Sequence, residues 1–158
     1  MSIRADAETL RQIPIFAECD SVHLQLLAFA SERQQFVAGE TIIAQGKKAT
    51  AAFLLLSGQV DIRQSSGLQD VSIATAEPGA FLGEVAMIGK TNYSITALAL
   101  NPVSTARIDH GLFLRVAAEY PEFGQSVFKA LARRLESSML DFESVRGKFT
   151  RSKSLLDL

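Results

Sequence analysis

The segment Pro78-Gly79-Ala80-Phe81-Leu82-Gly83-Glu84-Val85-Ala86-Met87-Ile88 holds the residues of this 158-residue chain whose spacing could do chemistry. Two glycines bracket a short apolar segment. Glu84 then opens a run, Val85 to Ile88, long enough for one helical turn. Glycine lets a backbone approach a ligand closely. The first N–H groups of a helix have no internal acceptor, so a single turn after Gly83 would aim free donors at one spot, as suits a phosphate. Glu84 beside them could accept hydrogen bonds from a sugar hydroxyl. Taken alone, the same residues also fit a glycine turn with a solvated glutamate.

Other chemistries lack their residues. The chain has no GxSxG, so no nucleophile elbow, and neither GxxxxGK[ST] nor GxGxxG. His23 and His110 are its two histidines, where a jelly-roll metalloenzyme wants two or three clustered together. Each histidine reads as a surface or structural residue. The single cysteine, Cys19, excludes an internal disulfide and a cysteine-rich zinc site. No metal, no cofactor and no catalytic role is expected. One cysteine also fits a reducing compartment, so the expected location is cytoplasmic.

Three kinds of segment must position the candidate site. The first third opens helical: a short stretch from Thr9 to Ile13 stops at Pro14. A second helix starts near Asp20 or Ser21, both good caps, and carries Val22, Leu24, Leu27 and Ala28. From Arg33 to Ile108 the signals are short β runs. They are Thr41-Ile42-Ile43, Ala52 to Leu56, Gln59 to Arg63, Val71 to Ala74, Ile95 to Leu100 and Val103 to Ile108. Several alternate apolar and polar residues, as half-buried strands do. Turn residues fall between them at Ala38-Gly39, Gly46-Lys47, Ser57-Gly58, Ser65-Ser66-Gly67, Pro78-Gly79 and Asn101-Pro102. Helix then returns, with Asp109 as a cap before Leu112, Phe113, Val116 and Ala117, and Pro121 closing it. A long helix is expected from about Glu122 to Val145. Its Phe128, Leu131, Leu135, Ser138, Phe142 and Val145 step by three and four, a heptad seam suited to the domain body or to a second copy of the chain. The expected fold is α+β: an antiparallel β jelly-roll barrel flanked by N-terminal helices and a long C-terminal helix.

Composition agrees with one domain over 1–145. Apolar residues make up 47% and charged residues 21%, the balance of a chain that buries a core. Lys+Arg is 16 against Asp+Glu 17, for a net charge of −1, unlike a wholly basic nucleic-acid binder. The longest apolar run, Ala51 to Leu56, is far short of the roughly 20 residues of a membrane helix. Arg4, Asp6 and Glu8 do not suit a secretory signal. Basic charge concentrates in 146–158, where Arg146, Lys148, Arg151 and Lys153 outnumber Asp157. That segment reads as a flexible tail able to meet an acidic partner.

Taken in order along the chain, these motifs resemble the cyclic-nucleotide-binding domain family, found in catabolite activator protein, protein kinase A regulatory subunits and gated channels. Val37-Ala38-Gly39-Glu40-Thr41-Ile42-Ile43-Ala44-Gln45-Gly46 is similar to the family's early hairpin. Ala52 to Ile62 is similar to its next strand, glycine and strand. Gly79 to Ile88 is similar to its phosphate-binding cassette, and Ala132-Arg133-Arg134-Leu135 to its C-terminal helix. The resemblance covers roughly residues 10–145. It implies that Gly83 and the amides of Val85 and Ala86 face a cyclic phosphate and that Glu84 holds the ribose 2′-hydroxyl. It further implies that Ser94 bonds the phosphate and that Ser137 or Ser138 meets the base. The implied ligand is cyclic AMP or cyclic GMP.

One position departs from the family. Tyr93 stands where the family usually has an arginine for the phosphate, and the cassette reads about one residue short. An arginine fork grips phosphate with two charged hydrogen bonds. Losing about 1.5–3 kcal/mol of such bonding weakens binding roughly ten- to a hundredfold. Tyr93 offers one neutral hydroxyl, and Lys90 is either a swing-in charge or an exposed loop lysine. The residues after Val145 are too few for a DNA-reading module. Two readings follow. One is a stand-alone sensor that binds a cyclic nucleotide or similar phosphate ligand and signals through a C-terminal helix that pairs two copies. The other is a ligand-free domain acting as a structural or protein-interaction module for a partner the sequence does not name.

Overall fold

The structure is a computed structural model and describes residues 3–134. Helix α1 (Ile3–Arg11) buries Asp6, Ala7 and Leu10. It begins well before the expected stretch at Thr9, and the reason is Asp6. A charge on the inward face breaks the apolar period, yet Arg33 pairs with that carboxylate from the first strand. A 3₁₀ turn (Pro14–Phe16) follows, with Pro14 at a position where no amide donor is needed. In α2 (Ser21–Ala30), Asp20 is the cap, its carboxylate accepting the Val22 amide at 3.0 Å.

Eight strands come next: β1 (Glu32–Phe36), β2 (Thr41–Ile43), β3 (Ala51–Ser57), β4 (Val60–Ser66), β5 (Gln69–Ala76), β6 (Phe81–Leu82), β7 (Thr96–Ala99) and β8 (Val103–Asp109). They form two four-stranded antiparallel sheets, ordered β1-β8-β3-β6 and β2-β7-β4-β5. This is the expected α+β jelly-roll architecture with helices at both ends. Helix α3 (Glu84–Gly89) lies between β6 and β7. Helix α4 (His110–Glu119) is capped by Asp109, which accepts the Leu112 amide at 2.7 Å. Helix α5 begins at 121 and is described to 134. Of its expected seam, Phe128 is exposed and Leu131 packs against the helical core. Leu135, Ser137, Ser138, Phe142 and Val145 lie outside the described residues, as does the basic segment 146–158.

Strand β3 explains the chain's longest apolar run. Ala52 and Leu54 face a helical core with Leu10, Phe16, Leu24, Ile108, Phe113 and Phe123. Ala51, Phe53 and Leu55 face a second core between the sheets, with Ile43, Val60, Tyr93, Ala97 and Val103. A strand covered on both faces has no polar side to show. Strand β5 is the reverse case. Its alternation suggests a half-buried strand, but it is an edge, and both Val71 and Ile73 are about half exposed. His23 is buried, with its ring centroid 4.6 Å from that of Tyr120 at the α4–α5 junction, a structural placement.

Candidate functional site

Strand β6 delivers the chain to Gly83, which is the N-cap of α3 with φ at +79°. That left-handed backbone costs an L side chain roughly 1–2 kcal/mol, so glycine belongs there. The cap supplies no side-chain acceptor, and the first intrahelical bond runs from the Met87 amide to the Gly83 carbonyl at 3.0 Å. The amides of Glu84, Val85 and Ala86 therefore precede any helical acceptor, which is the donor array expected of a cassette.

Glu84 opens α3, and its carboxylate accepts from Arg134 of α5 at 3.0 Å. The glutamate side chain is only 14% exposed, the arginine 56%. The pair lines a cleft of about 710 Å³ between the 3₁₀ turn, the β5–β6 connection and α5. The motif Ala132-Arg133-Arg134-Leu135 carries no sign of this partner in its residue types. Arg133 lines the same cleft and lies 3.4 Å from Glu18.

Tyr93 turns inward. It is 9% exposed and belongs to the core between the sheets. Its hydroxyl donates to the Ala51 carbonyl and accepts from the Ala51 amide at 3.4 Å. Its backbone is tied as well, the amide to the Lys47 carbonyl and the carbonyl to the Gly46 amide, both at 2.9 Å. The ring lies against Gly83: a Cβ added there would stand 2.8 Å from Tyr93 Cε1 and 3.2 Å from Ile43 Cδ1.

The remaining candidates are spread out. Val85 is exposed on the outer side of α3, lining an apolar groove with Ile88, Phe128 and Leu131. Ala86 is half-buried. Ser94 is exposed, with its carbonyl 3.5 Å from the Gln64 side-chain amide. Ser138 is outside the described residues. Lys90 caps the opposite end of α3, also in the left-handed region. It shares a cleft of about 380 Å³ with Lys48, Arg107 and His110, about 9 Å of helix away from Gly83. The site therefore unites Gly83, Glu84 and Tyr93, adds Arg134, and leaves Lys90 at the far end of the helix. Among the described residues no group of three His, Cys, Asp or Glu side chains could hold a metal ion. Nor is any described helix long and apolar enough to cross a membrane.

Comparison with known proteins establishes the family and the fold. Residues 33–120 match the model of the cyclic nucleotide-binding domain family, more than half of the chain, so the chain belongs to that family. It is 29% identical over 118 residues to glutaminase 2 of Bradyrhizobium diazoefficiens, matching 75% of this chain and 18% of that protein. It is 26% identical over 141 residues to the cyclic AMP receptor protein of Thermus thermophilus, matching 85% of this chain and 65% of that one. The chain thus spans between about a fifth and two thirds of these relatives. Among solved structures, the N-terminal domain of a transcriptional regulator from Streptomyces coelicolor superposes with a TM-score of 0.77 at 23% identity. That match covers 82% of this chain and 91% of that one, a likeness of fold.

Proposed function

We propose that this member of the cyclic nucleotide-binding domain family is a non-catalytic sensor. Cyclic AMP, cyclic GMP or a similar phosphate ligand binds at α3, between the sheets, and the position of the C-terminal helix reports occupancy. The phosphate lies against Gly83 and the amides of Val85 and Ala86, the ribose hydroxyl on Glu84, and Ser94 and Ser138 complete the site. The carrying observation is the 3.0 Å contact between Glu84 and Arg134. The carboxylate assigned to the ligand is the one that holds the helix assigned to the output. A ligand that bonds Glu84 competes with Arg134, and by linkage the helix position changes ligand affinity by the same factor.

The helix seam that begins at Phe128 and Leu131 pairs two copies of a cytoplasmic protein in this reading. The basic charge of 146–158 suits an acidic partner. The test is calorimetric titration with cyclic AMP and cyclic GMP, on protein unfolded and refolded to strip carried-over nucleotide. Micromolar binding by the wild type supports the reading. Absence of binding by the wild type refutes it; binding restored in Tyr93→Arg would then mark an intact pocket that has lost its phosphate anchor, and the protein-interaction module would lead.

A further inference from the structure

We propose that Tyr93 is a displaceable plug of this ligand site. Its ring occupies the seat on Gly83, and a ligand enters only as the side chain swings out. The inference rests on the reading of Gly83 as the phosphate seat given above.

Three observations carry it. The ring is in contact with the glycine itself, since a single added carbon there would overlap Cε1 at 2.8 Å. Ring and anion cannot share that space. Second, Tyr93 is the one buried residue in its segment: Gly89, Lys90, Thr91, Asn92 and Ser94 are all exposed. The segment reaches into the core by this side chain alone. Third, its backbone is pinned independently of the ring. The Lys47 carbonyl takes the Tyr93 amide, the Gly46 amide meets its carbonyl, and the Ala49 amide meets the Thr91 carbonyl, each at 2.9 Å.

Release is therefore a rotation about the Tyr93 Cα–Cβ bond, with the loop staying in place. It breaks the hydroxyl's bonds to Ala51 and carries the ring toward the solvent that already surrounds its neighbours. In the closed state the site is blocked at its phosphate end while Glu84 is occupied by Arg134. Apparent affinity is then the intrinsic affinity reduced by the fraction of molecules with the plug open.

The experiment uses the full chain, which has two tyrosines and no tryptophan. Tyr120→Phe removes the second tyrosine, which packs on His23 away from α3, and leaves Tyr93 as sole reporter. Cyclic AMP is titrated while heat and tyrosine near-ultraviolet circular dichroism are read together. Tyr93→Leu and Tyr93→Ser, which clear the ring from Gly83, are titrated alongside. Leucine keeps apolar volume in case serine fails to fold. The expected result is that binding abolishes the buried-tyrosine signal and that Tyr93→Leu binds at least about tenfold tighter, equivalent to about 1.4 kcal/mol. Binding that leaves the signal unchanged, or weaker binding by Tyr93→Leu, overturns the plug and makes Tyr93 a ligand contact, with the sensor reading intact. Absence of binding in every form, Tyr93→Arg included, overturns the sensor reading and the plug together.

Discussion

Gly83→Ala tests the packing at the centre of the site without any ligand. Two costs add at that position. Alanine must adopt φ near +79°, worth about 1–2 kcal/mol. Its methyl must also sit 2.8 Å from Tyr93 Cε1 and 3.2 Å from Ile43 Cδ1, an overpacking of about 1–3 kcal/mol. The sum is roughly 2–5 kcal/mol, against a typical domain stability of 5–15 kcal/mol. The two parts separate in a double-mutant cycle. Tyr93→Leu removes the Cε1 atom, so in that background Gly83→Ala keeps its backbone cost of about 1–2 kcal/mol and the milder 3.2 Å approach to Ile43 Cδ1. The coupling energy is the share of that overpacking due to the Tyr93 ring, about 1–2 kcal/mol, favourable to the double mutant. Urea denaturation of the four proteins, followed by far-ultraviolet circular dichroism, measures it through the midpoints at constant slope. Equal costs of Gly83→Ala in both backgrounds would show that the ring does not rest on Gly83. The described geometry of the site would fail with it.

Three further outcomes follow from the same structure. Gly58→Ala places a Cβ 2.3 Å from the Pro102 carbonyl oxygen at φ +88°, whereas Gly39→Ala meets nothing at φ +89°. Thermal unfolding should show the first costing about 3 kcal/mol or more and the second only about 1–2 kcal/mol. Burial pushes the Cys19 thiol up to about 11, with Glu18 adding to it. The folded state then holds the proton longer than the unfolded one, so stability is level below about pH 9 and falls as pH rises toward 11. Cys19→Ala should remove that slope, and a thiol reagent at pH 8 should react only after unfolding. The Ser72 hydroxyl and then Arg63 hold the Asp61 carboxylate below the usual carboxylate range. Stability from this group is present above that range and lost as pH falls through its lowered value; Ser72→Ala should move its titration upward, as read by NMR.

How far the sequence foretold these features depended on the range of the forces involved. The turn glycines at 39, 46, 58, 67 and 79 all take positive φ, because a turn's backbone demand is local and its residue choice is narrow. The six named β runs and both capped helices appear for the same reason. Strand β1, Glu-Arg-Gln-Gln-Phe, carries no apolar alternation, and it is a strand because β8 pairs with it from Glu32–Arg107 to Phe36–Val103. Strand β6 is two residues long, too short for any period. The inward turn of Tyr93 depends on Ala51, 42 positions away, and the partner of Glu84 is 50 positions away. Residue type showed that Tyr93 departs from an arginine, but its direction is a tertiary fact. Asp6 is the same lesson in the core, a carboxylate made compatible with burial by Arg33 27 positions on.

Helix α3 joins these distant contacts into one mechanical unit. It is six residues long, about 9 Å, too short to bend. At its first residue Arg134 of α5 holds Glu84, and near its end His110 of α4 lies 2.8 Å from the Met87 carbonyl. Tyr93 rests on the glycine that caps it. A displacement at Gly83 large enough to admit a ligand must therefore be taken up by the Tyr93 ring, by the Arg134 contact or by the His110 contact. The ring is the compliant member, because its backbone ties survive its rotation, whereas moving α3 itself strains both helix contacts at once. A ligand small enough to enter by the ring alone would leave α5 where it is. One that also takes Glu84 would loosen α5 as it binds. The degree to which α5 responds is thus set by whether the ligand carries a group for Glu84, and a ribose-free phosphate should occupy the site without moving the helix.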